Sequence, residues 1–490
     1  MRTKFRLIES TKESAISTID KSPFKFFYFS LIVIYWSCSS TPSAETIADP
    51  WLKMDTILNL IQPPEFPDRS YSVIDFGASN DGEQDARNAI QKCIDKCAAD
   101  GGGRVIIPAG NYLINGPIHL DNHVNLHLEE NAYVRFGVYP DDYLPPVRTR
   151  WEGMDLMNYS ALVYAYGKNN IAITGQGTLD GQASEQNWWP WKGLEQYGWK
   201  EGMPNQESEN GKHGLLKMNG NRTPIDQRVF GSGSYLRPNM IQLFQCQNIL
   251  IDGVTLKNSP MWVMHPVLSE NITIKDVKVI SHGPNSDGCD PESCKNVLIE
   301  NCFFDTGDDC IALKSGRNED GRSIGKPIEN VIIKNCRMKD GHGGVVIGSE
   351  VSGGARNIFA TDCLMDSPNL QRAIRIKTNK VRGGTLENLY FRNLDIKQVT
   401  EAVVKINANY TIDNKSADEF IPEIRNIFVT NIKSDKSKYG VLIDGYDEKH
   451  PINNVTIEDC QFNGVSDGNP IKNIANLTIK GVYVNGEAWK

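Results

Sequence analysis

An excess of positive charge is the first thing this chain lacks. Its 52 Lys and Arg stand against 60 Asp and Glu, for a net charge of −8 over 490 residues. That balance excludes a general polyanion-binding surface of the kind that follows nucleic acid. If the ligand is an acidic polymer, its seat must be a local basic patch. Long apolar runs are missing too. The run at residues 26–36, interrupted by Ser30, falls short of the ~20 residues that a membrane-crossing helix takes. Lys21 and Lys25 precede it and Cys38 follows it, so residues 1–38 read as an export signal with Cys38 a candidate for lipid attachment. A soluble signal cut near Ala44 is the alternative. The expectation is an exported protein, periplasmic or anchored to the outer membrane through that lipid, or secreted. Residues 39–70, with their Pro, Ser and Thr, read as a tether, and residues 71–490 as one catalytic domain.

What the chain has is a repeat. Asn is followed by apolar residues one and three positions later, then Asn, Asp or Gly at the fifth, then apolar residues at the sixth and eighth. The unit starts at Asn248, Asn271, Asn296, Asn330, Asn357, Asn388, Asn426, Asn454 and Asn476. Apolar residues at alternate positions line one face of a strand. Gly, Asn and Asp tolerate left-handed backbone angles, so the fifth position reads as a bend. Such units cannot bury their apolar face alone and must stack. The spacing therefore predicts an all-β fold, a right-handed parallel β-helix with Asn at a recurrent turn. The Leu framework of a leucine-rich horseshoe is absent.

The 11 cysteines fit the same reading. Cys302, Cys336, Cys363 and Cys460 fall at the sixth position, where other units carry Val, Leu or Ile, so they read as small apolar core residues. Cys289 and Cys294 are close enough in sequence to pair, though nothing demands it. Cys93 and Cys97 share a helical stripe with Ala89, Ile90 and Ile94, which predicts an amphipathic helix over residues 85–98 that caps the open end of the stack.

Four polar clusters break the repeat on consecutive units: Asn285-Ser286-Asp287, Gly307-Asp308-Asp309-Cys310, Gly341-His342-Gly343 and Arg375-Ile376-Lys377. Any one alone is a solvated turn or a charged sheet edge. Asp308 and His342 both lie twelve positions after their Asn, Asp287 sixteen and Arg375 eighteen. With turn insertions absorbing the differences, the clusters would stack at the ~4.8 Å strand spacing as one polar strip. Three carboxylates, an imidazole and two cations would meet there. Paired carboxylates push one pKa up, which keeps a proton available near neutrality.

These clusters resemble the four signature motifs of glycoside hydrolase family 28, the polygalacturonases: Asn-Thr-Asp, Gly-Asp-Asp, Gly-His-Gly and Arg-Ile-Lys. Ser286 stands where the family commonly has Thr. The resemblance runs over about residues 70–480 and includes Gly177-Thr-Leu-Asp-Gly181, Asn258-Ser-Pro-Met-Trp262 and His265-Pro266. It implies an inverting hydrolase of galacturonate polymers, with Asp308 as general acid, Asp287 and Asp309 activating water, and His342 tuning the acid. It places the sugar carboxylate on Arg375 and Lys377, with Asn285 and Arg317 as further binding residues and Lys314 and Arg322 enlarging the patch. No metal or cofactor is implied, and no nucleic-acid partner. Rhamnogalacturonan or xylogalacturonan hydrolysis within the family, a pectate lyase and a non-catalytic carbohydrate-binding β-helix are the alternatives.

Residues 186–237 form an unusually long connection carrying Trp188, Trp189, Trp191 and Trp199. Walling off one end of a groove would make the enzyme exo-acting, and the bacterial exo branch is also what residues 258–266 resemble. The tryptophans could stack on sugar or simply pack the loop.

Overall fold

The computed structural model describes residues 49–412 and 418–489. The signal, Cys38 and the first part of the tether lie outside the described residues. From residue 70 onward the chain winds through parallel strands that stack into three faces. The first face is a 13-stranded sheet and the second a 14-stranded one, whose last pair alone, Tyr483–Val484 with Glu487–Ala488, is antiparallel. The third face is two sheets of four and six strands. Isolated bridges, Met264 to Cys289 to Ile311 and Val267 to Glu292 to Lys314, carry it across the gap. Pro291 sits in that gap and has no N–H to give to a ladder.

The repeat read from the sequence is the register of the first sheet. Ile249, Ile272, Val297, Val331, Ile358, Leu389, Ile427, Val455 and Leu477 pair in one row through the core. Every unit-opening Asn has a left-handed backbone, from Asn248 at φ 55° to Asn476 at φ 58°, and so does every fifth position, Gly253 and Asp276 among them. The opening Asn side chains bond along the stack: Asn271 donates to Asn248, Asn296 to Asn271 and Asn330 to Asn296, at 3.0 to 3.3 Å.

The interior is aliphatic with a file of thiols. Cys302, Cys336, Cys363 and Cys460 are buried core residues, and all ten described cysteines, Cys289 and Cys294 included, are unpaired. Burial raises the Cys289 thiol well above its ordinary value, which keeps it protonated and inert. The capping helix spans Arg87–Ala99 and plugs the amino-terminal opening with Ile90, Cys93, Ile94 and Cys97. The tether reading needs correction. Trp51–Leu60 is an α-helix lying on the outer face of the first sheet, where Ile57 and Ile61 pack on Leu298, Ile332, Phe359 and Tyr390. Burial of each such aliphatic side chain is worth about 1.5–3 kcal/mol, enough to dock a short helix.

Candidate active site

The third face positions the site. Ile311–Leu313, Val345–Ile347 and Arg372–Lys377 are neighbouring strands whose Ile311, Val345 and Ile374 point into the core, which turns alternate residues outward. Because Cys289 pairs with Ile311 and Ile311 with Val345, Asp287 falls beside Asp309 and Asp308 beside His342. The backbone agrees: the N–H of Gly288 donates to Asp309 O at 2.9 Å and that of His342 to Asp308 O at 3.0 Å. Arg375 and Lys377 depart from the single strip read from spacing. Arg375 pairs with Val346, three positions beyond the level of Asp309, and only its long side chain reaches back.

The expected residues nevertheless meet. Asp287, Asp308 and Asp309 bring carboxylate oxygens within 4.8 Å of one another. Arg375 Nη1 lies 3.2 Å from Asp309 Oδ1 and Lys377 Nζ 2.7 Å from Asp309 Oδ2. His342 Nδ1 is 2.9 Å from Asp308 Oδ1. Lys314 Nζ stands 3.7 Å from Asp287, 3.3 Å from Asp290 and 3.3 Å from Glu350. All of these except Asp309 and Asp290 line one open cavity of about 330 Å³.

Electrostatics separate the three carboxyls. Burial and the neighbouring Asp308 charge push Asp287 up to about 8, against the pull of Lys314. Asp309 is also buried, but Lys377, Arg375 and Lys314 outweigh that and hold it far below the ordinary carboxylate range. Burial would raise Asp308 as well; the hydrogen bond from His342 overcomes it, and the same bond raises His342. Asp290, buried beside Asp287, is raised well above its ordinary value. The cluster therefore holds protons near neutrality, as paired carboxylates must, and Asp287 and Asp290 are the members that favour them. Asp308 is the most exposed of the three aspartates and lines the cavity together with Asp287.

The remaining expectations divide. Asn285 lines the cavity with its amide oxygen accepting from Arg237 Nη2 at 2.8 Å, which leaves its N–H groups for a ligand. Arg317 lines the cavity, but its guanidinium is engaged by Glu152 at 2.8 Å. Lys314 lines the cavity, where it sits among carboxylates, 3.3 Å from Asp290, and lies 4.5 Å over the Trp262 ring. Arg322 belongs elsewhere, stacked on Phe420 at 3.6 Å in a separate cleft. None of the four loop tryptophans lines the cavity, so the sugar-stacking reading is corrected. Trp188 is buried against Tyr143 and Trp191, Trp189 Nε1 donates to Ser259 O, and Trp199 Nε1 to Met203 O.

Sequence reasoning missed Glu152, Lys192, Lys212, Glu350, Arg382 and Tyr410, all lining residues. Glu350 had a legible signal, lying three places past the core strand that follows His342. Glu152, Lys192 and Lys212 come from insertions outside the repeat and carry none. Tyr410 brings its ring within 5.6 Å of Arg375 and 5.5 Å of Lys377, closing their outer side.

Known proteins resemble this chain in both sequence and structure. The profile described as glycosyl hydrolases family 28 matches residues 226–482, and that described as rhamnogalacturonase A/epimerase, pectate lyase-like, matches residues 70–129. A probable polygalacturonase of Vitis vinifera is 30% identical over 389 residues, covering 77% of this chain and 71% of that one. An endo-polygalacturonase of Pectobacterium carotovorum subsp. carotovorum is 26% identical, covering 81% and 87%. The crystal structure of a hyperthermoactive exopolygalacturonase from Thermotoga maritima superimposes with a TM-score of 0.83 at 43% identity, covering 88% of this chain and 96% of that one.

Proposed function

Because this chain belongs to glycoside hydrolase family 28, the polygalacturonases, and is a hydrolase of galacturonan, we propose that it removes galacturonate units from one end of α-1,4-linked chains. The observation that carries this is the cavity itself, lined by Asp287, Asp308, Arg375 and Lys377, with Asp309 in contact behind them, and by lysines supplied by an insertion. The resemblance to an exopolygalacturonase over nearly its whole length supports the same direction.

Cleavage needs an acid for the leaving oxygen and a base for water. Asp308 is assigned as the acid, since it is the most exposed of the three aspartates at the cavity and His342 fixes its orientation. Asp287 and Asp309 hold the water. Asp309 has a cation on each oxygen, which makes it a poor nucleophile and favours inversion over a covalent intermediate. The galacturonate carboxylate docks on Arg375 and Lys377. Its arrival adds negative charge next to the cluster, which raises the affinity of all three carboxyls for protons and loads Asp308. The anomer first released, read by NMR, tests the stereochemistry: inversion of an α-linkage gives a β product.

Incubation with polygalacturonate, rhamnogalacturonan and xylogalacturonan, with products sized, tests the substrate. Release of galacturonate from the first alone supports the reading; preferred cleavage of either other polymer overturns it. A product absorbing in the ultraviolet would mean lyase chemistry. Export with lipid attachment at Cys38 is also proposed, on the pattern of residues 21–38. Mass analysis of the mature amino terminus, with Cys38→Ser as control, checks it.

A further inference from the structure

The insertion that walls the cavity brings in a lysine that makes no ion pair or hydrogen bond through its ammonium among the described residues. Lys192 ends the short turn Trp189–Lys192, which is fixed by the buried Trp188 and by the Trp189 bond to Ser259 O at 3.1 Å. Its side chain is half-buried and lines the cavity together with Asp287 and Asp308. Among the described residues its ammonium has neither a hydrogen-bond acceptor nor a carboxylate partner.

Its surroundings are short of negative charge. Lys212 Nζ lies 3.7 Å from Glu152 and 3.5 Å from Glu207, and Arg317 also uses Glu152. Arg237, fully buried, finds only neutral acceptors among the described residues: Pro260 O at 2.9 Å, Pro284 O at 2.6 Å, Gln206 Oε1 at 3.3 Å and Asn285 Oδ1 at 2.8 Å. Lys192, Lys212 and Arg237 thus draw on two carboxylates, Glu152 and Glu207, and Glu152 also serves Arg317. A half-buried charge without a partner is costly, and an anionic ligand removes that cost. Burial pushes the Lys192 pKa down, with Arg237 and Lys212 adding to it against Glu152. Arg237 bonds to the chain just ahead of Asp287, so this end is the amino-terminal side of the carboxylate trio, whereas Arg375 and Lys377 lie two strands past Asp308 on the other side.

We propose that this walled end is a second anion-binding position, with Lys192 as the contact and Lys212 and Arg237 behind it, and that it takes the carboxylate of the terminal galacturonate unit. The proposal rests on the galacturonan reading above and adds a specificity to it. The enzyme would grip a charged sugar on each side of the bond it cuts, and would refuse a chain whose terminal unit is methyl-esterified.

The test is steady-state kinetics of the parent, Lys192→Gln and Lys192→Arg on tetragalacturonate and on tetragalacturonate esterified at the unit that enters the walled end. Labelling the reducing end of the parent's substrate identifies that unit. The expected result is a KM on tetragalacturonate raised about tenfold or more in Lys192→Gln with kcat little changed, largely restored in Lys192→Arg. The parent prefers the acid over the terminal ester by a similar factor, and Lys192→Gln loses that preference. Parental KM and parental preference in a folded Lys192→Gln overturn the second site while leaving the galacturonan reading intact. A parent that does not cleave tetragalacturonate overturns both.

Discussion

Two stacks of polar side chains run along this molecule, built by the same repeat and ending in opposite chemistry. At the turn into the first sheet, Asn330 donates to Asn296 at 3.0 Å and accepts from Asn357 at 3.0 Å. An amide both gives and accepts, so a file of amides satisfies itself and stays neutral. On the third face the same stacking sets Asp287 beside Asp309 and Asp308 beside His342. Ionised carboxylates only accept, so this file cannot satisfy itself. It draws in Lys314, Arg375 and Lys377, and it retains protons. The repeat supplies position in both places; reactivity arises where the stacked residues are not self-complementary.

The sharpest way to break the reactive stack is Asp308→Asn, which keeps the shape and removes the proton. Turnover on polygalacturonate is expected to fall about 10²–10⁴-fold, the usual worth of a general acid, while oligomer binding by calorimetry and thermal unfolding stay near parental. An aryl galacturonide with a good leaving group should recover much of the loss. No recovery would assign Asp308 to another role.

Arg375→Ala or Lys377→Ala comes next. Each removes a charged hydrogen bond worth roughly 1.5–3 kcal/mol, so kcat/KM on galacturonate oligomers should fall by about one to two orders of magnitude. Each variant also strips Asp309 of a partner. Parental cleavage in both variants would remove them from the substrate site.

A smaller effect is read from pH. The Asp287 carboxyl is raised to about 8 in the folded protein. Between the unfolded carboxylate value near 4 and this folded one, rising pH therefore erodes stability, and above it the cluster loses a proton that catalysis needs. Asp309 is depressed, so the stability its ion pairs contribute is complete above a pH of about 4 and is lost progressively as acidification approaches its lower folded value. The profile of kcat/KM should fall on its alkaline side near pH 8. An alkaline limb unmoved by Asp287→Asn would contradict this.

The smallest change belongs to the neutral stack. Asn330→Ala loses two amide bonds and puts Ala at a φ of 58°. A cost of about 1–3 kcal/mol is expected, seen as a lower Tm, with kcat unchanged. A collapse of kcat at parental Tm would erase the distinction between the stacks.

The legible parts of this protein are those the repeat controls. Asn248 to Asn476 foretell the register because the period of apolar residues and the left-handed bend are local properties of the chain. Asp287, Asp308, Asp309 and His342 were legible for the same reason: neighbours in the stack are set by their distance from the repeat's Asn. Arg375 and Lys377 could be named but not placed, since their long side chains reach back across three and five positions of backbone. Glu152, Lys192 and Lys212 were not legible, because insertions fold by contacts that no period announces. The helix Trp51–Leu60 was hidden differently. Its docking depends on the sheet residues Phe359 and Tyr390, some three hundred positions away.

The most direct measurement follows polygalacturonate digestion by viscosity and reducing ends together, with products sized from the first minutes. Cutting at a walled end predicts reducing ends that accumulate while viscosity scarcely falls, and one small product from the start. A rapid loss of viscosity with few new ends and a spread of early oligomers would mean the polymer passes through the cavity, and would contradict the account.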